Sequence, residues 1–119
     1  MARAPRWHRS ARKSIYVIVW KYRVRRGSER RFEHVYGPRG AWAQFFRKGH
    51  GYLGTKLYRE IGATRRYVTV DIWRSRAAFT AFQRRNRGEY QRIDAMCEAL
   101  TEGEERMGAY SVLEPQATE

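Results

Sequence analysis

The chain contains a single cysteine, three prolines and no long run of apolar residues. One cysteine, Cys97, excludes an internal disulfide bond and any metal site built from several cysteines. A reducing cytoplasm is therefore the expected compartment. No apolar segment approaches the roughly 20 residues that a membrane-spanning helix needs. The basic N-terminus also lacks the apolar core of a signal peptide. We therefore expect a cytoplasmic protein with no membrane span.

Acidic residues are scarce over most of the chain. Residues 1–93 contain 24 Lys and Arg but only 5 Asp and Glu, whereas residues 94–119 contain one Arg and 7 acidic residues. The net charge is +13. Such a charge can attract nucleic acid, anionic lipid or an acidic small molecule. The alternative is a general compositional bias, because Arg outnumbers Lys 21 to 4 and the Arg residues are scattered.

Hydrophobic and aromatic residues are plentiful by contrast. They make up 42% and 14% of the 119 residues, which is enough for one folded domain with a real core. Many flat apolar rings suit a pocket, an oligomer interface or both. Residues 1–13 carry five basic and no acidic residues, and we expect them to form a flexible basic arm. We expect a single domain over 14–114 and a short tail over 115–119.

Alternating apolar and polar residues predict strands over 14–24 and 67–73. Glycine-containing turns on both sides predict another strand over roughly 52–60, and the segment 109–113 is short enough to be the fourth. Helical spacing follows Ser28 and Ser75, two residues that suit a helix N-cap. Further helical pieces follow the Gly37-Pro38 pair and the break at 86–88. The order is β-α-β-β-α-β. It predicts an α+β fold, a ferredoxin-like sandwich with an antiparallel four-stranded sheet.

The predicted sheet has a second apolar face that its helices do not cover. Val17 and Val19 lie on this face of the first strand, and Val68, Val70 and Ile72 lie on it in the third. A soluble monomer seldom exposes such a patch. Two copies of the sheet packed face to face would bury it, and we therefore predict a homodimer.

Several segments resemble a known family, among them VWKYRVRRGSERRFEHVYG and RYVTVDIWRSRAAFTAF. The resemblance is to antibiotic biosynthesis monooxygenase-like domains of the dimeric α+β barrel superfamily, and it covers roughly residues 15–114. It implies a dimer whose two sheets close a barrel, and a pocket in each protomer between sheet and helices. Heme-cleaving relatives carry an Asn, a Trp and a His where Trp20, Phe82 and about Arg92 stand here. Heme cleavage is therefore disfavoured, and we expect no cofactor.

The resemblance also implies a small aromatic ligand and, as the leading hypothesis, a cofactor-independent monooxygenase acting on a quinol or a polyketide-like substrate. Such an enzyme binds a flat ring, assists its deprotonation and excludes water. The polar edge of the pocket is predicted to hold His34, His50 or a tyrosine hydroxyl such as that of Tyr52. The predicted wall of the pocket is aromatic and consists of Trp20, Tyr22, Phe32, Trp42, Phe46, Tyr67 and Phe82.

Each of these residues also has a purely structural interpretation. Rings at strand or helix spacing often form the core, and Cys97 on an apolar stripe suits an inert buried thiol. His34 lies beside Glu33 and would be solvated, while His50 lies between two glycines and would belong to a loop. No two of the three histidines have the spacing of metal ligands, so we expect no metal site.

Two other functions stay open at this point. The chain could be a non-enzymatic module whose basic surface binds nucleic acid or another polyanion. Nucleic acid is disfavoured as a partner because the third strand, RYVTVDIW, lacks the Gly-Phe pattern that exposes stacking rings in RNA-binding sheets. The chain could also keep the fold and the dimer without catalysing any reaction, because fold does not confer function.

Overall fold

The computed structural model describes residues 14–113. The predicted basic arm (1–13) and C-terminal tail (115–119) lie outside these residues. The elements run in the order β1 (Tyr16–Val24), α1 (Glu29–Tyr36), α2 (Ala41–Phe46), β2 (Tyr52–Arg59), β3 (Arg66–Trp73), α3 (Arg76–Arg85), α4 (Arg87–Cys97), a 3₁₀ turn (Glu98–Leu100) and β4 (Thr101–Ser111). None of the helices in this part of the chain is long and apolar enough to cross a membrane.

The four strands form one sheet in the order β2-β3-β1-β4, and every neighbouring pair is antiparallel. The two central strands are β1 and β3, which come from different halves of the chain. This is the predicted ferredoxin-like α+β arrangement, and the fold prediction is confirmed.

One face of the sheet carries the helices and the core. The even-numbered residues of β1 and the odd-numbered residues of β3 point to this face, as the period of two requires. Ile18, Val24, Tyr67 and Trp73 are at most 3% exposed there. The helices add mainly rings to this core: Phe32, Tyr36, Trp42, Phe45, Phe46, Phe79 and Phe82. The core is therefore largely aromatic.

The opposite face of the sheet has no covering element among residues 14–113. Val19 of β1 lies directly opposite Val70 of β3, and Val17 lies opposite Ile72. All four side chains keep part of their surface exposed. We call the five residues Val17, Val19, Val68, Val70 and Ile72 the outer apolar face.

Two local features differ from the sequence-based expectations. The fourth strand begins at Thr101 and has 11 residues, where a short strand over 109–113 was predicted. The charged first half of this strand, TEGEER, has the composition of a turn, but the strand as a whole pairs along all of β1 as an edge strand.

Ser75 caps α3 through its side chain, which accepts from the Ala78 N–H at 3.1 Å. Ser28 precedes α1 but makes no such bond.

Candidate active site

A cavity of about 100 Å³ lies between the sheet and the helices. It is where the family resemblance implies a pocket. Its apolar wall consists of six rings: Trp20, Tyr22, Tyr36, Trp42, Phe46 and Tyr90. Its polar lining consists of Thr55, Thr69, Asp71, Asp94 and Glu104. Every charged residue of the lining is therefore acidic, in a chain whose net charge is +13.

The positions of these residues follow from the periods of their elements. Trp20 and Tyr22 are two apart on β1, and Thr69 and Asp71 are two apart on β3, so each pair faces the helices. Trp42 and Phe46 are four apart on α2, the spacing that places two side chains on one helix face. Helix α4 closes the cavity with Tyr90 and Asp94 at the same spacing.

Helix α4 is held over the cavity by ring contacts and an ion pair. The Tyr90 and Trp42 rings form a T-shaped pair at a centroid distance of 5.2 Å. An ion pair between Lys48 Nζ and Glu89 Oε1, at 2.8 Å, ties the end of α2 to the first turn of α4. Both partners are substantially exposed, so this ion pair adds little stability.

Asp71 is the most unusual group in the cavity. Its carboxylate keeps some exposure because the cavity opens onto it, yet the surrounding rings remove most of its water. This desolvation raises the pKa of Asp71 from 3.8 to about 6, and a hydrogen bond from Thr55 partly offsets the rise. A carboxyl with a pKa near 6 can accept a proton at neutral pH.

Asp71 is the inner end of a chain of hydroxyl groups. The Thr55 hydroxyl donates to Asp71 Oδ1 at 2.8 Å, and the Tyr52 and Thr55 hydroxyls lie 2.7 Å apart. A threonine hydroxyl has one proton to donate. Because Thr55 gives that proton to Asp71, Tyr52 must be the donor to Thr55. The chain therefore connects the cavity with a tyrosine at the start of β2.

Three tyrosines of the lining keep their phenolic protons. Burial raises the pKa of Tyr22 and Tyr36 far above the usual 10, and it raises the pKa of Tyr90 to about 12. The negative charges of Asp71, Asp94 and Glu104 add to the rise at Tyr90, while Arg106 lowers it. Protonated phenols can donate hydrogen bonds to a ligand oxygen.

Two further polar atoms of the lining make no hydrogen bond of good geometry among residues 14–113, namely Thr69 Oγ1 and Trp42 Nε1, and both are buried. Thr69 is close enough to the Tyr22 hydroxyl, and Trp42 to that of Tyr36, to lower the pKa of each phenol, so both atoms have at best a weak partner. Buried polar groups are nearly always paired, with protein, water or ligand. An oxygen on a ring bound in the cavity could accept from the Trp42 N–H or the Thr69 hydroxyl.

The structure divides the seven rings predicted for the pocket wall into two groups. The four that line the cavity are Trp20, Tyr22, Trp42 and Phe46. The three that pack in the core beside it, at most 3% exposed, are Phe32, Tyr67 and Phe82. Tyr67 additionally donates its hydroxyl to Glu33.

The three predicted catalytic residues also differ in position. Tyr52 reaches Asp71 through Thr55. His34 is exposed on α1, and His50 is exposed in the turn before β2; neither contributes to the cavity lining. The glycines beside His50 serve the turn: a Cβ at Gly49 would lie 2.6 Å from Phe82 Cδ1, and Gly51 has φ +92°.

Asp71 itself was not among the predicted site residues. A signal for it exists in the sequence, because Asp71 shares its parity with Tyr67, Thr69 and Trp73 on the helix-facing side of β3. A charged residue on a buried face is a departure that needs an explanation.

Among residues 14–113 there is no group of three or more His, Cys, Asp or Glu residues that could hold a metal ion.

Comparisons with solved structures agree with this architecture. A variant of SnoaB, a cofactor-independent oxygenase from Streptomyces nogalater, superposes with a TM-score of 0.68 at 20% identity, covering 87% of this chain and 98% of that chain. A putative antibiotic biosynthesis monooxygenase from Bordetella bronchiseptica gives 0.60 at 21% identity, with 84% and 98% covered. PA3566 from Pseudomonas aeruginosa gives 0.62 at 16% identity, with 87% and 98% covered. At these identities the likeness shows the fold alone.

The sequence itself gives the assignment to a family. No curated protein sequence matches the chain significantly. The sequence model of the antibiotic biosynthesis monooxygenase family, however, matches residues 15–94, which is more than half of the chain and includes β1 to β3 and the Asp71 carboxyl. The chain therefore belongs to the antibiotic biosynthesis monooxygenase family.

Proposed function

We propose that this protein is a cofactor-independent monooxygenase acting on a small electron-rich aromatic compound, such as a quinol or an anthrone. The observation that carries this proposal is the desolvated Asp71 carboxyl in a cavity walled by six rings. SnoaB, to which the fold is similar, is described as a cofactor-independent oxygenase.

The first step is removal of a proton from the substrate. Asp71, with a pKa of about 6, is ionised at neutral pH and accepts the proton. The phenols of Tyr22, Tyr36 and Tyr90 stay protonated and donate hydrogen bonds to the substrate oxygen as negative charge develops on it.

The substrate anion then supplies the electrons itself. For an activated methylene, two C–H bonds break, one oxygen atom of O₂ becomes the new carbonyl oxygen, and the other leaves as water with the two hydrogens. The protein's task is to hold the ring, take the proton and keep bulk water from the reactive anion. The ring-walled cavity under α4 suits this task.

In this proposal Tyr52 is the outer end of the hydroxyl chain. Once Asp71 carries the proton, the Thr55 and Tyr52 hydroxyls can rotate so that each accepts from its inner neighbour, and the proton can then leave through Tyr52. The catalytic roles predicted for His34 and His50 stay predictions. The geometry favours Asp71 as the base, because both imidazoles are exposed and outside the cavity lining.

We further propose that two copies pair through the outer apolar face. The cavity lies on the opposite side of the sheet, so each copy keeps its own site. Burying five aliphatic side chains per copy supplies a hydrophobic driving force of the kind that stabilises permanent dimers.

The test uses purified, metal-free protein with a panel of quinols and anthrones under oxygen. We expect oxygen consumption coupled to product formation, and a decrease in kcat of about 100-fold or more in Asp71→Asn. The matched control is Glu98→Gln, which removes an exposed carboxyl outside the cavity and should leave kcat unchanged. Absence of both binding and turnover across the panel would contradict the proposal, as would full activity of Asp71→Asn.

A further inference from the structure

A second, larger cleft adjoins the cavity on the helix-bearing side of the sheet. It has a volume of about 430 Å³ and lies between α3, α4 and the paired strands β1 and β4. The two spaces share four residues, namely Trp20, Phe46, Asp71 and Tyr90. A ligand that reaches Asp71 from the cavity is therefore also at the boundary of the cleft.

The volumes indicate how a substrate would divide between the two spaces. An apolar cavity of about 150 Å³ accommodates a benzene molecule, so a cavity of about 100 Å³ has room for one ring at most. A quinol or anthrone with fused rings needs more space. Its remainder would extend past Asp71 into the cleft.

The charges of the two spaces are opposite. Beyond the shared Asp71, the charged residues of the cavity are Asp94 and Glu104, whereas those of the cleft are Arg76 and Arg106. Glu104 and Arg106 are two residues apart on the edge strand β4 and therefore lie on the same face of the sheet. The charge on that face changes from negative to positive between these two positions.

Both arginines are available for a ligand. Each side chain is exposed, and neither forms an ion pair or a hydrogen bond within residues 14–113. They come from different elements, the first residue of α3 and the middle of β4, yet both line the cleft and a neighbouring groove. Arg106 also acts electrostatically on the Tyr90 phenol at the shared boundary.

We propose that Arg76 and Arg106 form a subsite for a carboxylate on the aromatic substrate, so that this chain selects hydroxylated aromatic acids over their neutral counterparts. The inference rests on the proposed function and specifies its substrate class. A guanidinium group binds a carboxylate through two parallel hydrogen bonds. The net charge of +13 also attracts an anionic ligand over a longer range.

The test compares two ligands that differ by one carboxylate, 2-naphthol and 6-hydroxy-2-naphthoate, by calorimetric titration of the full chain at about pH 8. We expect the hydroxynaphthoate to bind about ten-fold more tightly or better. In Arg76→Gln/Arg106→Gln this preference should fall to about two-fold, while the affinity for 2-naphthol stays unchanged.

The matched control is Arg25→Gln/Arg26→Gln, which removes the same charge from the exposed turn after β1. This variant should keep the preference. Thermal unfolding checks each variant, and the single change Arg106→Gln replaces the double one if the latter is unstable. Equal binding of the two ligands by the wild type, or equal loss of preference in both double variants, would overturn the inference.

The outcomes separate the inference from the proposed function. Binding or turnover of the neutral naphthol without any preference for the acid overturns only the carboxylate subsite. Failure of both ligands to bind, together with no turnover of the quinols and anthrones, overturns both proposals.

Discussion

Asp71 lowers the stability of the fold whenever its carboxyl is ionised. Desolvation raises its pKa from 3.8 to about 6, so the folded state holds the proton more tightly than the unfolded chain does. The stability linked to this group is therefore fully present below about pH 4 and declines as the pH rises to about 6. The rise in pKa from 3.8 to about 6 corresponds to about 3 kcal/mol.

Asp71→Asn should remove this pH dependence. An amide can still accept the Thr55 hydroxyl but carries no charge, so we expect the variant to be about 1–3 kcal/mol more stable than the wild type at pH 8. At pH 4 the two should have nearly equal stability. Urea unfolding at both pH values measures the difference. A constant difference in unfolding free energy at the two pH values would rule out a strongly desolvated carboxyl.

Thr55→Val should raise the pKa of Asp71 further. The Thr55 hydroxyl is a donor that stabilises the ionised carboxylate, and valine has nearly the same shape without the hydroxyl. We expect the acidic limb of the kcat/KM profile, and the carboxyl carbon-13 NMR titration of Asp71, to move to higher pH. Tyr52→Phe is the matched control: it leaves the Thr55 donor in place and should move the titration much less. Equal shifts in both variants would argue against the Thr55 bond as the cause.

Part of the site could be predicted from residue types and spacing alone. Trp20 and Tyr22 alternate along β1 with Val19 and Lys21, so the period of two places them on the side opposite Val19; both were predicted for the pocket wall, and both line the cavity. Phe32 and Phe82, which lie at helical spacing, were predicted for the same wall, yet they pack in the core beside the cavity. The period of an element gives the direction of a side chain, but whether a void lies there depends on how α2 and α4 pack across the sheet.

At the scale of elements, two serines that precede helices should contribute differently to stability. Ser75 accepts from the Ala78 N–H, while Ser28 makes no side-chain capping bond to α1. Ser75→Ala should therefore cost about 1 kcal/mol of unfolding free energy, whereas Ser28→Ala should change it by only a few tenths. Chemical unfolding of the two variants under identical conditions measures both effects. Equal costs would show that the N-cap bond at Ser75 adds nothing.

Local sequence patterns predict some strands of this fold better than others. Strands β1 and β3 alternate clearly because one face packs on rings and the other does not. Strand β4 carries Glu102, Glu104 and Glu105 in its first half, so its sequence has the composition of a solvated turn. Its strand conformation depends on hydrogen bonds to β1, which is far away in sequence. Local patterns do not contain that information.

At the scale of the molecule, the two faces of the sheet serve separate purposes. The helix-bearing face contains the cavity and the cleft, while the outer apolar face has no cover among residues 14–113. A change on the outer face should therefore alter assembly and leave ligand binding intact. This separation allows the homodimer proposal to be tested without disturbing the site.

Val70→Asp places a carboxylate at the centre of the outer apolar face. Val70 lies opposite Val19 on one side and Lys56 on the other, and it is only partly buried within a single copy. A free protomer can hydrate the new charge, whereas a face-to-face dimer would bury two like charges close together. We therefore expect the wild type to sediment as a dimer at micromolar concentration and Val70→Asp as a folded monomer.

The control for this change is Gln91→Asp, which adds the same charge to the exposed surface of α4 and should sediment as the wild type does. Because the cavity lies across the sheet from Val70, the monomeric variant should still bind 6-hydroxy-2-naphthoate with nearly the wild-type affinity. A wild type that sediments as a single copy at tens of micromolar would contradict the dimer. Loss of ligand binding together with the dimer would instead indicate that pairing of the sheets shapes the cavity, because the charge at Val70 does not reach the lining directly.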